Sequence, residues 1–310
     1  MLRIVLLAVG CLLLFLQQFF PPISINLQFI IFMTGIILLG IPHGAADILV
    51  ATQSADMENK TFSKFRFLSI YVGRIILFAV IFYFLPLLAN FIFIIFAAYH
   101  FGETDLYQFK TDTLPGKIFV ISYGLVILSV ILLHHFEEVK PLFLQFQSGK
   151  ENITVINWIE ANRYKILSVS GILFFTSTFI YFLKNAHLDN NENGYFLIRF
   201  AVILFILFNL PMLLGFTFYF VVWHSFLSLN NIVTYLKNKN KFSNYIITRQ
   251  IAFYSTLAIA GIVLVGMTGF IFLNASATMS YLFLGLAVLT APHMQIMHEM
   301  YYRIRRGLHS

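Results

Sequence analysis

The feature that most constrains this chain is a series of apolar runs, each about as long as a bilayer is thick, that recurs from one end to the other. A helix needs about 20 apolar residues to cross the hydrocarbon core. Ten runs fit, at residues 4–20, 24–42, 67–86, 88–102, 117–135, 165–183, 195–210, 212–229, 250–273 and 277–298. The third and fourth form one long stretch that divides between Pro86 and Asn90, and the seventh and eighth divide at Asn209, Leu210 and Pro211. In both places proline with asparagine permits a tight turn at the membrane surface. Lipid offers the backbone no hydrogen-bond partner, so only helices and closed barrels span it, and the runs lack the alternation of barrel strands. The expected fold class is all-α: a polytopic integral membrane helix bundle of about ten transmembrane helices, forming a single transmembrane domain over residues 1–310.

Composition agrees. Hydrophobic residues make up 59% of the chain and charged residues 11%, against roughly 25% charged in soluble domains. So little charge could not cover a water-facing surface, and the expected solvent is the lipid bilayer. The net charge of +7 is not read as a nucleic-acid footprint, because Lys and Arg are spread through short loops rather than gathered in a patch. A single cysteine, Cys11, excludes a disulfide framework and a Cys-rich metal site. Residues 1–20 resemble a signal peptide in having Arg3 before an apolar run, but no small-residue cleavage site follows, so the run reads as the first membrane helix.

Loop charge orients the bundle. With the N-terminus inside, loops 43–66, 103–116, 184–194 and 230–249 and the tail carry most of the Lys and Arg, including Lys60, Lys64, Lys110, Lys237, Arg303, Arg305 and Arg306. The links near Pro21, Ala89, Pro211 and Ala275 carry none, and loop 136–164 is the exception. The positive-inside bias therefore predicts a multi-pass protein of the cell (inner) membrane with both termini cytoplasmic.

Four of the nine histidines share a topological position. His43, His100, His224 and His293 lie at or near the ends of the second, fourth, eighth and tenth runs. Even-numbered helices all run toward the same side, so these imidazoles are expected at one depth near the cytoplasmic leaflet. An imidazole near hydrocarbon is costly unless it faces the bundle interior and finds a partner. For one histidine that partner is ordinarily a neighbouring helix. Four at one level point to a shared metal, and neutral imidazoles suit iron, zinc or copper. Asp47, Glu103 and Asp105 follow two of them closely. Each is expected either to accept a ligand histidine's second N–H or to pair with a loop Lys or Arg. His134 and His135 fall on the opposite face, His187 and His309 in a polar loop and the tail. His298 points to a different helix face from His293, toward interfacial solvent.

The strings that surround these histidines are Pro42-His43-Gly44-Ala45-Ala46-Asp47, Tyr99-His100-Phe101-Gly102-Glu103-Thr104-Asp105, Trp223-His224-Ser225 and Pro292-His293. They resemble the Brp/Blh family of bacterial and archaeal membrane-bound β-carotene 15,15′-dioxygenases, relatives of bacterioopsin-related protein, over residues 40 to 298. The resemblance implies an iron(II), Fe(2+), enzyme that cleaves the central double bond of β-carotene with O2. The product is two molecules of all-trans-retinal, often destined for a microbial rhodopsin. His43, His100 and His224 match the family's proposed iron-ligand positions. Where the family commonly has a further histidine four residues on, this chain has Ser228. Either His293 completes the site, or three histidines hold the metal, or the activity is lost or changed.

The chemistry implied suits the setting, since β-carotene resides in the bilayer and could enter sideways between helices. Phe96, Phe101, Tyr107, Phe216, Phe220 and Trp223 lie near the histidines in sequence and are candidates to line a dry tunnel. Two rival readings are a di-iron desaturase or hydroxylase, and a metal or proton transporter. The first needs about eight histidines in HxxxH and HxxHH clusters, and the chain has no HxxHH. The second is favoured by paired broken helices and internal repeats, and no repeat is visible.

Overall fold

A computed structural model describes residues 1–144, 152–185, 190–237, 244–272 and 275–307, without the side chains of 190–194, 264–272 and 275–283. These residues form eleven helices and no strand. The helices are α1 (Leu2–Phe19), α2 (Ile25–Met57), α3 (Lys64–Phe84), α4 (Pro86–Asp105) and α5 (Leu114–His134). They continue with α6 (Phe136–Leu144), α7 (Ile153–Lys184), α8 (Asn190–Asn209), α9 (Met212–Lys237), α10 (Asn244–Phe272) and α11 (Ala275–Arg305).

Local chemistry sets the boundaries. Ser24, Ser63 and Thr113 cap α2, α3 and α5 by accepting the backbone N–H of Leu27, Arg66 and Gly116, which satisfies donors the first turn leaves free. Pro86 opens α4 at its first position, where a missing N–H costs nothing. The two expected splits are present, at Leu85 and at Leu210–Pro211.

Among the described residues, eight helices are long and apolar enough to cross a membrane, and Tyr195–Asn209 adds a shorter apolar helix. The tenth expected run, 277–298, falls on α11, part of whose side chains lie outside the described residues. The chain is a polytopic all-α membrane bundle. Several helices outrun their apolar segments. α2 continues past residue 42 to Met57, α4 to Asp105, α9 to Lys237, and α7 begins at Ile153 rather than 165. Loops 43–66 and 136–164 are therefore partly helical. Hydropathy marks where lipid contact ends, whereas the backbone ladder continues wherever the residues beyond favour it.

The centre of the bundle is α9 and α5, while α1, α3 and α10 present most of their side chains outward. That outward face is apolar, with Ile4 and Phe19 of α1, Phe65 and Phe84 of α3 and Tyr245 of α10 each more than three-fifths exposed. Lipid supplies no hydrophobic drive for helix pairing, so association depends on close packing. α4 and α5 pack backbone to backbone. A side chain on Gly124 would collide with the carbonyl of Ala98, and one on Gly102 with the carbonyl of Val120. Ala98 and Gly102 are one turn apart on α4, as are Val120 and Gly124 on α5. One glycine from each helix thus permits the close crossing, with His100 between Ala98 and Gly102 on α4.

Three stretches are wound as π-helix: Ile36–Gly40, Val130–His134 and Thr217–Ser225. Each turn of this kind carries an extra residue and re-aims the side chains that follow, and such turns recur at functional sites. The first ends three residues before His43, and the third contains His224.

Candidate metal centre

Four helices deliver one imidazole each to a common point. His43 follows the π-helical turn of α2, and Pro42 precedes it. His100 comes from α4 beside the close α4–α5 crossing. His224 lies in the π-helical part of α9. His293 follows Pro292, a proline inside α11. All four are at most 5% exposed.

Ligand nitrogens of His43, His100 and His224 lie within 4.8 Å of one another. Nε2 of His100 and Nε2 of His224 are 3.1 Å apart. The ring of His293 is centred 4.7 Å from that of His43 and 5.1 Å from that of His100. The Nδ1 atoms of His43, His100 and His224 and the Nε2 of His293 are buried without a side-chain hydrogen-bond partner. Burying such groups unpaired is costly. Neutral imidazoles whose nitrogens face one another at this spacing are a donor set for iron, zinc or copper, so the residues fit a metal ion.

The three carboxylates divide. Asp47 Oδ1 is 2.7 Å from Nδ1 of His293, and its Oδ2 accepts from the Tyr71 hydroxyl at 2.8 Å. Asp47 thus serves His293 from a different helix, not His43 four residues before it, because the turn at Ala46 interrupts α2 between them. Glu103 and Asp105 make their hydrogen bonds away from the cluster: of the two readings open to them, Glu103 takes the pairing with an Arg, and neither braces a cluster histidine. Glu103 Oε1 receives Arg305 and His298, each at 2.9 Å, and the Tyr99 hydroxyl at 3.3 Å. Asp105 receives the Tyr123 and Tyr219 hydroxyls at 2.7 and 3.2 Å and the Trp223 indole N–H at 2.9 Å. Oε1 of Glu103 and both oxygens of Asp105 are thus taken by groups outside the cluster, while Oε2 of Glu103 is buried without a partner.

The aromatic candidates also divide. Phe101 is centred 4.7 Å from the His224 ring, and Phe220 stacks parallel to it at 6.1 Å. Phe216 stacks on Phe220 at 5.2 Å, and Phe32 of α2 extends the row at 5.8 Å. Trp223 turns instead to Asp105, Tyr107 packs on Tyr301, and Phe96 is half exposed on the outer face. Ser228, one turn after His224, is wholly buried.

The other histidines stand apart. The Nε2 atoms of His134 and His135 contact the carbonyls of Phe208 and Leu207 at the end of α8. His298 is 44% exposed and pairs with Glu103. His187 and His309 lie outside the described residues.

The C-terminal ends of α2, α4 and α11 are tied by ion pairs. Arg305 meets Glu103 and Asp112, and Arg303 meets Glu58 and Glu299. The Lys60 ammonium, and after it the Arg303 guanidinium, hold the Glu58 carboxyl down at about 2. Tyr71, Tyr123, Tyr219 and Arg305 escaped the sequence reading. They lie on runs without a cluster histidine, in the α9 interior or in the tail, and no spacing ties them to their partners.

The fold and the cluster together define a polytopic membrane enzyme whose buried histidines are able to hold a metal. A family model described as beta-carotene 15,15′-dioxygenase matches residues 34–301, and the chain belongs to that family. The matched region contains all four histidines. No curated protein and no solved structure matches the chain.

Proposed function

We propose that this chain is an iron(II)-dependent dioxygenase that cleaves the central 15,15′ double bond of β-carotene with O2 to give two molecules of all-trans-retinal. One C=C bond and the O–O bond break, and two C=O bonds form, so both oxygen atoms end in product. The observation that carries this reading is the meeting of four buried imidazoles from four separate helices, three of them with ring nitrogens within 4.8 Å of one another, in a chain of this family. His43, His100 and His224 would hold the ion, and His293 would complete the set in place of the imidazole that Ser228 does not supply. Iron(II), when bound, supplies the redox chemistry that lets O2 react with an alkene.

The rest falls to the chain. Asp47 holds the His293 ring through Nδ1 and leaves Nε2 free to face the cluster. Phe101 and Phe220 press on the His224 ring and keep water from it. The row of Phe220, Phe216 and Phe32 offers an apolar wall of the kind an extended polyene packs along. The exposed apolar faces of α1, α3 and α10 would meet the bilayer in which the substrate dissolves. The single transmembrane domain would sit in the cell membrane with both termini cytoplasmic, and the retinal could feed a microbial rhodopsin.

The test is expression in β-carotene-accumulating bacteria, with colour loss and retinal measured together. Central cleavage is expected to give retinal as carotene disappears, and His43→Ala to give neither change. Unchanged colour overturns the reading, and carotene lost to unequal apocarotenals overturns its central-bond part.

A further inference from the structure

Among the described residues, one of the four cluster histidines is held by a carboxylate. His293 Nδ1 lies 2.7 Å from Asp47 Oδ1, and the other oxygen of Asp47 accepts the Tyr71 hydroxyl at 2.8 Å. His293 and Asp47 side chains are each 3% exposed. Tyr71 comes from α3, which contributes no histidine. Its neighbour Phe67 packs on it at 5.6 Å, so the phenol is held in place from its own helix.

We infer that Asp47 and Tyr71 are positioning residues that set His293 for metal binding. The claim rests on the proposed reading of the cluster as a metal centre. A carboxylate accepts and does not donate, so Nδ1 of His293 carries the proton and its buried, unpartnered Nε2 presents a lone pair to the other rings. Tyr71 occupies the second oxygen of Asp47 and stops the carboxylate from rotating away. Such outer partners fix ring orientation and raise the donor strength of the imidazole. Among the described residues no carboxylate meets the rings of His43, His100 or His224, which makes His293 the one cluster histidine that a carboxylate orients.

The test is iron(II) titration of the purified, metal-stripped protein in detergent, against a competing chelator and without O2, with the metal-free melting temperature measured in parallel. Asp47→Asn is expected to weaken iron(II) binding about 10–100-fold and Tyr71→Phe by about tenfold. Asp47→Glu should recover part of the loss, and the metal-free melting temperatures of Tyr71→Phe and Asp47→Glu should stay near that of the unchanged protein. If both Asp47→Asn and Tyr71→Phe bind iron(II) as before while His43→Ala has lost it, the positioning role is wrong and the metal centre stands. The role also fails if affinity falls only in step with the metal-free melting temperature. Retention of iron(II) by His43→Ala overturns the metal centre itself, and this inference with it.

Discussion

The indole N–H of Trp223 donates to the carboxylate of Asp105 at 2.9 Å. That bond ties the residue just before His224 to the last turn of the helix that carries His100. Two tyrosine hydroxyls close on the same carboxylate, from α5 and α9. The Arg3 guanidinium of α1 binds the Asp105 carbonyl at 2.9 Å. Three helices therefore register on one acidic side chain, a few residues from two cluster histidines.

Asp105→Ala strands three buried donors. Each unsatisfied group costs about 1–3 kcal/mol, so the variant is expected to lose about 3 kcal/mol or more and to release Trp223. The second tryptophan, Trp158, is already 60% exposed, so a red shift of emission reports on Trp223. Unchanged melting and emission would refute the role given to Asp105.

Gly124→Ala places a methyl group on the Ala98 carbonyl. The helices must part, at a cost of about 1–3 kcal/mol, and His100, two residues after Ala98, moves with α4. The expected outcome is a lower melting temperature together with weakened metal retention. Gly171→Ala, inside α7 at a position with open space around it, is the control and should lower neither, since alanine favours a helix interior over glycine.

Metal removal should destabilise the protein. A ligand at a hundredfold excess over its dissociation constant stabilises by about 2.7 kcal/mol. Chelation is therefore expected to lower the melting temperature, and iron(II) to restore it. His100→Ala and His224→Ala should show neither response and form no retinal. A normal response in either variant would exclude that histidine from the centre.

His134→Ala removes a contact to the Phe208 carbonyl at the end of α8, away from the cluster. Retinal formation is expected to stay within about threefold of the unchanged protein, the effect of a surface substitution of roughly 0.5 kcal/mol. A total loss would place His134 in the catalytic machinery.

Glu58 makes stability depend on acid. Its folded-state carboxyl titrates at about 2, below the usual 4.5, because Lys60 and Arg303 favour the charged form. A lowered value contributes stability above the unfolded-state value, and the contribution is lost as pH falls through the folded one. Melting between pH 5 and pH 2 should therefore decline less steeply in Glu58→Gln than in the unchanged protein. Identical slopes would rule the pair out as a contributor.

Both proline splits, the helical class and the common depth of His43, His100, His224 and His293 were legible from residue order. Lipid allows few alternatives: an apolar run must be a helix, and alternating helix direction assigns each run's end to one side. The partners of the charged groups were not legible. Asp47 reads as a neighbour of His43 at helical spacing, yet the turn at Ala46 sends it to His293, 246 residues away. For Glu103 and Asp105 residue order left open a histidine or a Lys or Arg as partner; Glu103 meets Arg305, and Asp105 meets Trp223, which no spacing pointed to.

Residue order alone thus determined that this chain spans the membrane as helices and that four imidazoles end at one level. Hydropathy and topology act along the chain and leave their marks in it. Tertiary structure decided which rings face one another, which carboxylate holds which ring, and that α4 and α5 meet backbone to backbone. Those outcomes depend on the rotation of each helix about its axis and on π-helical turns that shift it. Such rotations are set by packing against neighbours, and no local pattern records them.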